Sequence, residues 1–298
     1  MIVRLLTAVA ATAGILTPSP SAHRLRDGDH FAIGRISNAG NGIAVANGAI
    51  GRAVVHDADI DGVYRVVETE ADASGWLTIE NIRAVNVRRG LARIRGTLTG
   101  VVRNCDISFS QVPQIPPNLP AGLAFDGEAH DWAVENVTIR GAQMTLAPDR
   151  YWNGDGISTE VGNRNFLFRN VRVYDSTDSG FDLKSSNTRL DNTLAQGNSR
   201  NYRFWKDTEA GTIISVEPLV RGGRTNPAHI WVTGKFTPTI RIKHLVVRAT
   251  RSRAAVIRVE DGAATVIIES ADIQVPPGTP LVVGSRANVQ WLSGTPRI

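Results

Sequence analysis

The chain has one cysteine in 298 residues, so no disulfide can form within it, whatever the redox state of its surroundings. Its six histidines, His23, His30, His56, His130, His229 and His244, show no paired ligand spacing, which argues against zinc chemistry. There is no Gly-rich phosphate loop and no nucleophile elbow. No concentrated basic run interleaved with aromatics points to nucleic acid. Lysine is scarce: Lys184, Lys206, Lys235 and Lys243 stand beside 29 arginines, and they are the short list of amines that can act as neutralisable bases. The net charge of +5 favours an acidic partner such as a polyuronate, although an Arg-rich coding bias yields the same excess.

What the chain does have is a repeated phrase of alternating apolar residues, then Asn, then another apolar residue. It occurs at Ile79-Glu80-Asn81-Ile82, Val102-Arg103-Asn104-Cys105, Val134-Glu135-Asn136-Val137, Phe168-Arg169-Asn170-Val171 and Leu190-Asp191-Asn192-Thr193. The intervals of 23, 32, 34 and 22 residues predict a coil of about 22 to 24 residues with two insertions. Each unit holds one short strand and too few apolar residues to close a core alone, so the units must stack. The fold class is therefore all-β, a single-stranded parallel β-helix. An Asn at the same turn of successive coils is read as structural, bonding backbone groups in a ladder. Cys105 takes the place that Val137 holds in the next unit and reads as a buried packing residue.

Residues 1–22 read as a secretory signal, with Arg4, an apolar stretch from Leu5 to Leu16 and small residues suited to cleavage near Ser21 or Ala22. That stretch is too short to span a bilayer comfortably, so the expectation is a secreted or periplasmic protein without a membrane span. Residues 23–298 form one elongated domain, with loop insertions near 111–127 and 142–153. Tyr151 and Trp152, in the second insertion, either stack on sugar rings or pack down onto the solenoid.

The densest polar chemistry lies in Asn153-Gly154-Asp155-Gly156-Ile157-Ser158, in Asp175 to Lys184 and in Asn201 to Asp207. Matching Ile157, Phe181 and Phe204 gives steps of 24 and 23 residues, one coil each. With those three inward, Ser158, Asp182, Lys184, Arg203 and Trp205 face outward as one patch. Asp155 and Asp178 lie at the turns entering their strands. Together with Asp182 they would repel one another unless a hard divalent cation relieves the repulsion; the alternative is that the first two are ordinary turn residues.

Coil length and the Asn phrase resemble right-handed parallel β-helix proteins of the pectate lyase-like superfamily, over roughly residues 50 to 275. Asn-Gly-Asp155-Gly followed by Asp178-Ser179-Gly180-Phe181-Asp182 is similar to the calcium-site arrangement of family 9 pectate lyases. The resemblance implies Asp155, Asp178 and Asp182 as Ca2+ ligands, with Ser179 where that family has another Asp and Trp205 where its lysine base is expected. It implies a calcium-assisted lyase that cleaves an acidic polysaccharide by β-elimination. Within it Lys184 is the first candidate base and Lys206 the second, Arg203 binds the substrate carboxylate and Trp205 packs on a sugar face. The alternative reading of Lys184 is a solvated lysine that pairs with Asp182. Arg241-Ile242-Lys243 and Asp155 resemble parts of the family 28 polygalacturonase signature, a hydrolase alternative without its Gly-His-Gly. A non-catalytic glycan-binding or envelope-associated β-helix fits the repeats equally.

Overall fold

The structure is a computed structural model that describes residues 22–37, 42–114, 119–145, 152–221 and 226–296. The expected signal segment, apart from Ala22, and Tyr151 lie outside the described residues. The described chain is a parallel β-solenoid, with the short 3-10 turn Gly234–Phe236 as its one helical element. An 11-stranded sheet of short strands and a 13-stranded sheet of mostly longer ones run side by side, each strand pairing with its counterpart one coil away. No helix among the described residues is long and apolar enough to cross a membrane.

The long strands bend where the repeated Asn stands. Asn81, Asn104, Asn136, Asn170 and Asn192 all have φ between 50° and 56°, a left-handed conformation that Asn tolerates better than most residues. Their side chains do not bond buried backbone, as the sequence suggested, but each other. Nδ2 of Asn104 donates to Oδ1 of Asn81 at 3.2 Å, Asn136 to Asn104 at 3.2 Å, Asn170 to Asn136 at 3.1 Å and Asn192 to Asn170 at 2.7 Å. Asn81 continues the ladder to Asp57 at 3.1 Å. The αL bend turns the amide outward, so its natural partner is the same group on the next coil. A second ladder of the same kind joins Asn187 to Asn165 and Asn165 to Asp131.

Inside the coil the apolar columns merge into one core, with an aromatic run from Trp132 and Phe125 through Phe166, Phe168, Phe181 and Tyr202 to Phe204. Cys105 pairs in register with Val137 and is 3% exposed, and its burial pushes the thiol up to about 12. Ala121–Phe125 is a strand of the 11-stranded sheet and so falls inside the range 111–127 assigned to the first insertion; the extra chain there ends by Pro120. Strands read at 212–216, 240–247 and 264–268 lie within Thr208–Val216, Thr239–Arg248 and Ala264–Gln274.

Candidate functional site

Three successive strands of the 11-stranded sheet, Asp155–Thr159, Ser179–Leu183 and Arg200–Phe204, carry the residues singled out from sequence. Ile157 and Phe181 pair inward as expected, but Phe181 is followed by Tyr202, not Phe204. The slip is two residues, an even number, so the outward face survives while the neighbours change. Arg203 therefore sits beside Asp182, and Trp205 falls two positions further along, beside Lys184. The outward column reads Ser158, Asp182, Arg203, Trp231 and Arg258 on consecutive coils.

The carboxylates are occupied. Asp182 accepts the Trp205 indole N–H at 2.7 Å on Oδ1 and holds Lys184 Nζ at 3.3 Å and Arg203 at 3.6 Å on Oδ2. Asp178 pairs with Arg200 at 3.0 Å and with Arg203 at 3.6 Å. Asp155, buried at the first position of its strand, accepts the Ser179 N–H at 2.9 Å. Lys184 also reaches Glu160 at 2.7 Å. The Arg203 guanidinium lies 4.7 Å from the ring centres of both Trp205 and Trp231, and Arg200 lies 4.9 Å from Trp231. Stacking between indoles keeps a guanidinium favourable where water is scarce.

Charge states follow from this packing. Burial, and then the nearby Asp178 and Asp182, raise the Asp155 carboxyl well above its ordinary value, which favours its neutral form. For Lys184 burial alone would lower the ammonium, but Asp182, then Glu160 and Asp155, outweigh it and hold it above an ordinary lysine. A base must offer a lone pair, and these neighbours keep that lone pair protonated, so the arrangement works against Lys184 as the base. The alternative reading of Lys184, as an ion-pair partner of Asp182, describes its contacts.

A Ca2+ centre does not fit the donor set. Asp178 and Asp182 already face guanidinium, ammonium and indole donors, and Asp155 favours its proton; the positive charge that would offset the carboxylates comes from side chains. Among the described residues no group of three or more His, Cys, Asp or Glu is arranged to hold a metal ion. Ser179 is fully buried, and its Oγ has no hydrogen-bond partner among the described residues.

Other expected residues lie elsewhere. Trp152 donates its indole N–H to the Met144 carbonyl at 2.8 Å, within its own insertion. Lys206 donates to the Val161 carbonyl at 2.7 Å and so fastens the turn two coils back. Arg241 and Lys243 belong to the 13-stranded sheet, whereas Asp155 belongs to the 11-stranded one, so the polygalacturonase-like pieces are not brought together. The sequence reading missed Glu160, Arg200 and Trp231. Carrying the outward parity one coil further, into Ala228–Thr233, finds Trp231. No protein-family model, curated protein or solved structure matches the chain, so the resemblance to family 9 pectate lyases rests on the quoted motifs alone.

Proposed function

We propose that the chain is an exported, carbohydrate-active β-helix that takes an acidic polysaccharide along the outer face of its 11-stranded sheet. The observation that carries this reading is the buried carboxyl cluster, Asp155 set beside the ion-paired Asp178 and Asp182, with Arg203 and Trp205 over the next coil; that packing raises the Asp155 carboxyl above its ordinary value. A carboxyl that keeps its proton and a nearby carboxylate are the pair required for glycoside hydrolysis, one to protonate the leaving oxygen and one to assist attack. Asp155 takes the acid role and Asp182 the carboxylate role. Lys184 and Arg203 hold the uronate carboxylate, and Trp205 offers an apolar ring to the sugar. β-Elimination is the less favoured chemistry, since it needs a base where Lys184 retains its proton.

A second reading, a binding module without turnover, is favoured by one observation: Arg200, Arg203 and Lys184 each already have a carboxylate partner. Incubating the protein with pectate, alginate and glucuronan, with calcium or with chelator, separates the outcomes. New reducing ends without ultraviolet absorbance, lost in Asp155→Asn, support hydrolysis. Calcium-dependent absorbance of unsaturated ends supports the lyase instead. Binding without either signal supports the module, and no binding to any polymer overturns the reading.

A further inference from the structure

On the same face, beyond Arg203, a cavity of about 460 Å3 opens between the segment around Pro218–Val220 and the segment Arg251–Arg258. Its size falls in the range of about 300–1,000 Å3 common to small-ligand sites. We propose that it is an anion subsite that receives a carboxylate-bearing sugar unit of the same acidic polysaccharide, which rests on the reading that this face binds such a polymer.

The argument is one of charge and placement. Arg251, Arg253 and Arg258 line the cavity, and no carboxylate among the described residues does. Arg251 and Arg253 are exposed and their side chains have no carboxylate partner among the described residues, unlike the paired arginines of the acid cluster. Arg258 shares its guanidinium with Glu260 at 3.2 Å and leaves a buried Nε without an acceptor. Glu217, which contacts this segment, is taken up by backbone: its carboxylate accepts the N–H groups of Thr250, Arg251 and Ser252 at 2.7, 3.0 and 2.6 Å. Glu217 thus fixes the loop that presents Arg251 and Arg253. Leu219 and Val220, 37% and 62% exposed, supply an apolar wall suited to the C–H face of a sugar.

Placement joins this cavity to the centre. Arg258 follows Trp231 and Arg203 in the same outward column, two coils beyond Arg203, or roughly 10 Å at the spacing of neighbouring strands. A larger hollow on the 13-stranded sheet has no such bias, because there Arg189 pairs with Glu209 and Arg169 with Asp191.

The test is titration calorimetry of the full chain and of the double variant Arg251→Ser/Arg253→Ser with oligogalacturonates of two to six units, at two salt concentrations, with carboxyl-reduced oligomers as the neutral control. The expected result is an affinity loss of about tenfold for the longer acidic oligomers, a shallower salt dependence and unchanged binding of the neutral control. Unchanged affinity and salt dependence in the double variant, with tight binding by the wild type, overturn the subsite while leaving the groove reading intact. If the wild type binds no acidic oligomer, the groove reading and the glycan subsite fall together. Titration with inorganic phosphate, followed by amide shifts at Ala254 and Ala255, then tells a site for free anions from an empty surface, and either result overturns the sugar assignment.

Discussion

Two polar assemblies run from coil to coil in this protein, and they differ in almost every respect. The asparagine ladder is exposed, made of asparagines that end on Asp57, and runs from Asp57 to Asn192 with a side-chain amide donating to the preceding coil at each step. The acid cluster is buried, made of unlike residues, and centred on the three coils that contain Asp155, Asp182 and Arg203. A residue that recurs holds the coil in shape. A concentrated change of chemistry on an otherwise regular face is where specific binding or reaction is to be sought.

Burial sets how sharply the two can be told apart by mutation. Asp182→Ala should have the largest effect, because it leaves Lys184, Arg203 and the Trp205 indole without their shared acceptor. Removing one member of a buried pair costs about 3–5 kcal/mol, read by denaturant unfolding; a loss under about 1 kcal/mol would put the cluster on the same footing as a surface ion pair.

Asp155 gives the next test. Its folded pKa lies above the unfolded value near 3.8, so its favourable contribution is complete below that value and is lost as pH rises through the folded pKa. Asp155→Asn keeps a neutral group throughout, so its stability relative to wild type should improve progressively as pH rises above 4. A pH-independent difference would mean that the carboxyl ionises freely and would remove the acid role proposed for it.

In the ladder, Asn136→Ala should cost about 1–2 kcal/mol, because alanine resists φ of 54° and two side-chain bonds are lost. Asn136→Gly should recover most of that loss, since glycine meets the conformation freely. Equal losses in both variants would assign the effect to the hydrogen bonds instead. The smallest change is expected for Cys105→Val, which copies the residue at the matching place on the next coil; a shift within about 1 kcal/mol in thermal or denaturant unfolding is anticipated.

The fold was legible because its signal is local and repeated. Alternating apolar residues and an Asn in each coil specify a strand, a bend and a stacking interval without reference to distant sequence. The site was legible only in part. Parity placed Asp182, Lys184, Arg203 and Trp205 on one face correctly, since a slip of two residues leaves parity untouched, but it mismatched the coils and set Trp205 where Arg203 stands. Arg241 and Lys243 could not be assigned to a sheet from their motif, because a three-residue phrase carries no record of which wall of the coil it occupies.

The sequence by itself thus determined a stacked parallel β-helix, its asparagine bends and the outward set of polar residues, because each is fixed by short-range periodicity. Only the tertiary structure decided which carboxylate meets which cation, that Trp231 and Arg200 complete the cluster, and that Asp155 favours its proton while Lys184 keeps its own. Those outcomes depend on register between coils, and on burial shared among side chains 20 or more residues apart, where differences of one position decide the partner.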